Sequence, residues 1–492
     1  MKLTEKQTDL YFIVLSLITL PAVIYSYLKV IFFNDLYILL GSAVSADGFG
    51  FFPSNIDIAW ETRPIGNRLL FYVLYKIGSP WYGDDFAFRM AVKVAVAVCI
   101  LIICWYFALQ VNKYISTPNK YAVFLLTALS LFTLHLIILL TTEFFAVLFA
   151  LLTIALLLDT KKYTPYLAGC LMFFIITLKF VTVVFIPMAI IAWILLSNDI
   201  NKPKIYRSVV GFICYCVAFI VMCGVWFKNF IPDLFLALML HGRVSSVSLT
   251  TNLYQSFISG IDIWVVIPVL SVGGITGVLV LYDYLTTNKK TFGLLFISMW
   301  LCTGISLVIQ AEWVTYHYTG LVLPSIISVI LFTATNYKKH TTVVSTCILI
   351  ALLVIFGFTC SIWTNTNGNY WDYKIKDTEL MQTKFNITNQ TAMLYLDVGI
   401  SNYFIGVQNA CRETYPLIIQ RGYGLGLSNT TAYINAKECI MNYNGDYLIY
   451  DGSITDPEIK TKLNNEYIKV YYGSYKGINF PPSDLYQRNV SI

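Results

Sequence analysis

The sequence predicts an all-α polytopic membrane protein of about eleven transmembrane helices, followed by a C-terminal α/β or β-rich soluble domain. Three observations lead there. Of 492 residues, 57% are hydrophobic and 12% charged, with a mean hydropathy of +0.68, a composition outside the range of soluble domains. The apolar residues gather in runs close to the roughly 20 residues that a bilayer crossing needs. After residue 363 the chain turns to tyrosine, asparagine and turn signals such as "NGD" and "DGS", the punctuation of short strands.

The opening "MKLTEKQTDLYFIVLSLITLPAVIYSYLKVIFF" has a weakly charged front, a long apolar run and no small-residue cleavage site, so it reads as an uncleaved first span. Length and lack of charge predict spans at roughly 9–33, 88–110, 121–140, 143–158, 164–178, 181–197, 207–227, 263–283, 291–309, 318–335 and 342–363. Alternate short loops hold Lys113 and Lys120, Lys161 and Lys162, Lys202, Lys204 and Arg207, Lys289 and Lys290, and Lys338 and Lys339. Lysine and arginine favour the cytoplasmic side. These five loops and the N-terminus are therefore expected in the cytoplasm, with the first loop 34–87 and the tail 364–492 outside the cell membrane. The net charge of +6 is spent on these loops, and no nucleic-acid partner is expected. Residues 1–363 form one expected domain and 364–492 the other.

In the tail, "AMLYLDV", "DYLIYD" and "YIKVYY" read as strands, and sequons stand at Asn386, Asn389, Asn429 and Asn489. Nine of the eleven cysteines fall in apolar runs, where a thiol is a small hydrophobe. Cys411 and Cys439 lie in polar sequence and are the candidate disulfide of an extracytoplasmic tail.

Ionisable residues near apolar segments are costly unless solvated, paired or used, and here they gather on the expected outer side. They are Asp35, Asp47, Asp57, Glu61, Arg63, Arg68, Asp84, Asp85 and Arg89 in the first loop, Glu143 and Lys179 at span ends, Lys228, Asp233, His241 and Arg243, and then Glu312 and His317. Asp35, just past the first span, reads either as a general base at the membrane surface or as a solvated helix end. Glu143 reads as a ligand for a sugar hydroxyl or a helper of Asp35, or as the partner of a buried cation. His317, between Tyr316 and Tyr318, reads as a substrate contact or as part of an interfacial aromatic belt. The Asp84–Asp85 pair reads as a helix cap. "GFGFFP" has no strand before it and no helix after it, so it reads as a conformational turn.

The stretch "ETRPIGNRLLFYVLYKIGSPWYGDDFAFRMAVKVAVAVCILIICWYFALQ" resembles the polyprenyl-phosphate-sugar-dependent glycosyltransferases of the GT-C fold, in particular the protein mannosyltransferase and aminoarabinose transferase branch. Members open with one span and a large outer loop bearing an acid, a tyrosine, a "GDW"-like turn, a "KPPL" segment, an amphipathic helix and an "RLP" entry to the second span. Asp35 and Tyr37, "ADGFGFFP", "TRPIG", "LLFYVLYKIG" and "FAFRM" stand at those places. Softer matches are Glu143, Lys179 in "ITLKFVTVVFIP", and "TYHYTGLVLP". Leu36 replaces the second acid, Arg63 the lysine and Ile65 the second proline.

The resemblance implies transfer of a mannose-like hexose or aminoarabinose-like pentose from a polyprenyl-phosphate donor to a hydroxyl of a lipid, glycan or protein acceptor at the outer membrane face. In that scheme Asp35 is the base, Arg63, Arg68, Lys179 and Arg243 hold the donor phosphate, and Tyr37, Glu61, Glu143, His317 and Tyr318 contact substrate. No cofactor is required and no metal is indicated. A secondary transporter is the rival reading, and a structural membrane protein the third.

Overall fold

A computed structural model of the chain describes residues 4–29, 34–48, 65–115, 118–132, 140–226, 270–287, 289–310, 319–335, 341–387, 390, 392–397, 400–411, 417–473 and 483–489. The helices are α1 (Glu5–Lys29), α2 (Asn34–Gly48), α3 (Ile65–Gly78), α4 (Asp85–Val111), α5 (Lys120–Phe132), α6 (Thr142–Leu158), α7 (Thr164–Leu178), α8 (Phe185–Ser197), α9 (Lys202–Trp226), α10 (Ile275–Thr286), α11 (Lys290–Gln310), α12 (Val322–Thr335) and α13 (Thr341–Phe385). Then follow β1 (Leu394–Leu396), α14 (Ile400–Ile405), α15 (Leu417–Gly422), α16 (Thr431–Asn442), β2 (Tyr447–Tyr450), α17 (Pro457–Glu466), β3 (Tyr467–Tyr471) and β4 (Asp484–Arg488).

Among the described residues, the apolar runs expected to span are mainly helical. Among the described residues, three helical stretches are long and apolar enough to cross a bilayer: Glu5–Lys29, Asp85–Val111 and Lys202–Met222. The other apolar helices are shorter, at 10–17 residues, so length and composition support three crossings where about eleven are expected. Local breaks account for part of the shortening. Asn198 ends α8 in the left-handed region at φ 53°, and Lys179 is extended between α7 and a 3₁₀ turn over Phe180–Val184.

The chain forms two compact units. The described residues of the first come from Met1–Val30, Lys93–Phe219 and Val247–Asn365; those of the second come from Ile31–Val92, Ile220–Ser246 and Thr366–Ile492. In the first unit, α7 and α9 cross at glycines. A Cβ on Gly169 would lie 1.9 Å from the Ser208 carbonyl oxygen, and one on Gly211 would lie 2.1 Å from that of Tyr166. Small residues let apolar helices approach this closely, so dispersion between backbones replaces the hydrophobic drive that lipid cannot supply. The helix ends are satisfied locally: the Thr141 hydroxyl accepts from Phe144 N at 3.3 Å to cap α6, and Asn119 accepts from Ala122 N at 2.9 Å to start α5.

The second unit joins the first loop to the tail. Its sheet has the order β1-β2-β4-β3, with β1 parallel to β2 and the other neighbours antiparallel. Alternate strand residues feed opposite faces, as the two-residue period of a strand requires. Leu394, Leu396, Leu448 and Tyr450 pack with Tyr433 and Ile440 of α16 and Ile459 and Leu463 of α17. Met393, Tyr395 and Ile449 pack on the other face with Met381 of α13 and Ile405 of α14. The three strand-like runs read from the sequence are β1, β2 and β3; β4, "DLYQR", lies between β2 and β3. A disulfide joins Cys411 to Cys439 of α16, with Cα atoms 5.9 Å apart. Of the sequon residues, Asn386 and Asn429 are exposed, and Asn389 lies outside the described residues.

Asp456 ties α16 to α17. One of its oxygens caps α17 by accepting from Glu458 N at 2.9 Å and Ile459 N at 3.3 Å. The other accepts from the Tyr433 hydroxyl at 2.6 Å and pairs with Lys437 at 3.0 Å. Burial pushes this carboxyl up, but the bonds from Tyr433, Lys437 and the two amides outweigh it and hold the group below the ordinary value. A depressed folded pKa contributes stability above the unfolded value of about 3.9, and that stability is lost as pH falls through the folded value. Thermal unfolding of the full-length protein should therefore fall from pH 7 to pH 3 by less in Asp456→Asn than in wild type. At neutral pH Asp456→Ala, which removes the cap that asparagine would keep, should cost about 1–2 kcal/mol. In the first unit, Gly211→Val should lower the melting temperature by more than an alanine at exposed Ile213 of the same helix, because the α7–α9 crossing cannot admit a side chain.

Candidate functional site

Of the candidate residues, Asp35, Tyr37 and Arg68 lie in the second unit, and Glu143 and Lys179 in the first. Glu61, Arg63, Arg243, His317 and Tyr318 lie outside the described residues.

In the second unit, α2 carries Asp35 in its first turn. Tyr37, two residues on, is fully buried. Its ring lies 5.0 Å from that of Tyr403 and 4.8 Å from that of Phe404, both on α14. Asn402 of α14 donates to the Gly41 carbonyl of α2 at 2.9 Å. The turn before α4 closes the cluster. The Tyr82 hydroxyl donates to the Tyr403 carbonyl, and the Tyr403 hydroxyl donates to Asp85 at 3.3 Å. Asp85 pairs with Arg89 at 2.7 Å. Burial, then the nearby Asp85 charge, pushes the Tyr403 phenol well above its ordinary range, so it acts here as a hydrogen-bond donor and not as an acid. Gly406, at φ 74°, turns the chain after α14 where a Cβ would meet the Tyr82 ring at 3.0 Å. Asp84 caps α4 by accepting from Ala87 N at 3.0 Å.

The second helix of the first loop, α3, buries Asn67 and Arg68. Its exposed positions include Val73, Lys76 and Ile77. A guanidinium carried on a buried face keeps its charge at any accessible pH and offers a planar fork of donors.

In the first unit, Glu143 and Lys179 meet. The Lys179 ammonium donates to Glu143 at 2.5 Å, with the glutamate side chain 4% exposed and the lysine 33%. Glu143 stands in the first turn of α6, and Lys179 in the break between α7 and the 3₁₀ turn. The Thr182 hydroxyl donates to the Lys179 carbonyl and steadies the break.

Lys93 is not among the residues expected from the sequence. It lies about two turns into α4, is 2% exposed, donates to the Tyr27 carbonyl at 3.0 Å and stands 5.2 Å from the Tyr27 ring centre. Its signal was present, since it is the sole charge between Arg89 and Lys113 in an apolar run. Buried intramembrane charges mark function or specific pairing. Among the described residues, no three His, Cys, Asp or Glu side chains gather as metal ligands.

No protein-family model matches the chain, and no curated protein matches it in sequence. Among solved structures the chain is similar to the apo-form crystal structure of the Archaeoglobus fulgidus oligosaccharyltransferase, with a TM-score of 0.45 and 10% identity. The match covers 85% of this chain and 66% of that one, so this chain spans just under two thirds of that structure's length.

Glu143→Gln, Lys179→Met and the double variant form a thermodynamic cycle. The expected coupling is about 1–2 kcal/mol, below the ~3–5 kcal/mol of a fully buried pair because the lysine is partly solvated. Lys179→Met should be the costlier single change, since it leaves the more deeply buried charge behind.

Proposed function

We propose that the chain is an integral membrane glycosyltransferase that moves a hexose or pentose from a polyprenyl-phosphate donor to an acceptor hydroxyl at the outer face of the cell membrane. The observation that carries this reading is the second unit. The helices bearing Asp35, Tyr37 and Arg68 are built together with the tail, so these three positions stand on packed helices. A shared unit supports a topology in which the first loop and the tail lie on one side of the bilayer. That needs an even number of crossings between them, as the ten spans expected from the sequence between residues 88 and 363 would supply. The lysine-rich loops support assignment of that side to the exterior. The Cys411–Cys439 disulfide supports it too, because disulfides persist in oxidising compartments.

In this scheme Asp35 takes the acceptor hydroxyl's proton as the oxygen attacks the anomeric carbon. The bond from that carbon to the phosphate oxygen breaks, and the polyprenyl phosphate leaves with the electron pair. Arg63 and Arg68 oppose the charge that develops on the phosphate, with Lys179 and Arg243 as further cations. Glu143 orients Lys179 and lowers the net charge it presents. Tyr37, whose ring is locked by Tyr403 and Phe404, fixes the helix that carries Asp35 and is not itself a proton donor in the reaction. Glu61, His317 and Tyr318 are assigned to substrate contact. The acceptor is a lipid, glycan or protein hydroxyl.

One observation favours the transporter reading instead. The helix break at Lys179, with a charged pair at the break, is the kind of interruption that transporters use at a substrate site. A single assay separates the two readings. Membranes carrying the chain are given a labelled polyprenyl-phosphate sugar, and label is followed in acceptor and in donor. Asp35→Asn should lower transfer about 10²–10⁴-fold, the usual contribution of a general base, with expression unchanged. Transfer equal to wild type would remove Asp35 as the base. Movement of intact donor across the membrane with no labelled acceptor would favour transport.

A further inference from the structure

At the far end of α6 from Glu143, about 22 Å away along the helix, the first unit holds a second polar cluster with an apolar cavity beside it. Lys204 donates to the carbonyls of Leu157 at 2.8 Å and Asp159 at 3.0 Å. Asp159 accepts from the Tyr106 hydroxyl at 2.8 Å and pairs with Lys113 at 3.5 Å. Lys161 and Lys162 follow at once in the exposed turn to α7. Tyr163, Tyr166 and Tyr206 at the same level are 56%, 39% and 71% exposed. Exposed tyrosines beside lysines are the usual furniture of a membrane–water interface.

The cavity opens one step along the same helices. It has a volume of about 150 Å³ and an almost wholly apolar lining that includes Leu157, Met172, Ile190, Trp193, Ile205 and Val209. Two links make cavity and cluster continuous. Leu157 lines the cavity while its carbonyl holds Lys204, and Ile205, the residue after Lys204, lines it too. Trp193 is buried, and its indole N–H has no hydrogen-bond partner among the described residues. On the outward side, the Lys202–Met222 part of α9 is only 11% buried, so one wall of the cavity is a helix with a lipid-facing surface.

We propose that this place is a binding site for one anionic phospholipid of the bilayer. The phosphate is held by Lys113, Lys161 and Lys162, and the start of an acyl chain enters the cavity and packs on its apolar lining. Charge selects the lipid. Lys113, Lys161, Lys162 and Lys204 outnumber Asp159 and Asp199 in the adjoining turns, and basic pockets between transmembrane helices recognise acidic headgroups. The acyl chain selects a lipid over a free phosphate, because the cavity lining offers an anion nothing. The proposal rests on the membrane reading alone and not on glycosyl transfer, so the two fail separately.

The test is native mass spectrometry of the full-length protein in detergent, with phosphatidylglycerol and phosphatidylcholine of identical chains added in equal amounts, and inorganic phosphate as a separate arm. Wild type should retain one phosphatidylglycerol with about tenfold preference over phosphatidylcholine. The triple variant Lys113→Ala, Lys161→Ala, Lys162→Ala should hold both lipids equally. Val209→Trp and Ile190→Phe, which fill the cavity from facing helices, should each lose both lipids while remaining monodisperse. Equal retention of the two lipids by wild type, or undiminished retention by either folded cavity variant, would overturn the proposal. Retention of phosphate in place of lipid would overturn it as well.

Discussion

The packing of α2 against α14 is the constraint on which the rest of the second unit depends. Tyr37 lies against Tyr403 and Phe404, Asn402 reaches the Gly41 carbonyl, and the Tyr403 hydroxyl and carbonyl engage Asp85 and Tyr82. Each ring pair contributes about 0.5–1.5 kcal/mol beyond its buried area, and the polar bonds set one register between helices whose bonded residues, Gly41 and Asn402, are 361 positions apart in the chain. The tail sheet is anchored in the same way: Gln382 of α13 donates to the carbonyls of Phe404 and Ile405, each at 3.1 Å, and Tyr471 of β3 donates to Asp377 at 2.9 Å. The first turn of α2, with Asp35, inherits its position from residues at the other end of the sequence.

The first unit solves a different problem, that of carrying charge among apolar helices. Glu143 answers Lys179, and Lys93 is answered by the Tyr27 carbonyl and ring. Both arrangements sit where a helix begins, breaks or ends, or where a carbonyl is turned toward the charge. Continuous helix offers no free backbone group to a buried ion. Lys204 uses the same device at the opposite end of α6, with the carbonyls of Leu157 and Asp159.

Much of this architecture was legible in the sequence, and the rest was hidden for identifiable reasons. The apolar runs, the Asp84 cap and the strands around Leu394, Tyr447 and Tyr467 were readable because each follows from a local period or a local bond. β4 was not. "DLYQR" has one apolar position that matters, Leu485, and its place between β2 and β3 is stabilised by long-range partners: Asp484 pairs with Lys469 at 2.6 Å and accepts from Gly473 N at 2.9 Å. The union of first loop and tail was invisible for the same reason, since Tyr37 and Tyr403 read locally as ordinary aromatic positions. The candidate site was legible as a set of residue types on one face. Glu143 and Lys179 were singled out separately, and their pairing needed three dimensions. Lys93 was overlooked because a lone lysine in an apolar run resembles a chance charge until its burial is known.

The most direct measurement of the central claim, that loop and tail form one body on one side of the bilayer, is labelling with a membrane-impermeant maleimide in sealed, oriented vesicles. Single cysteines at Asp84 and Asn429, in a background whose free cysteines are replaced by serine, serve as reporters. Asp84 and Asn429 are both exposed. Labelling of both positions from the same side of the vesicle, and from the outer side of the cell, is the predicted result. Labelling of the two positions from opposite sides would contradict the account.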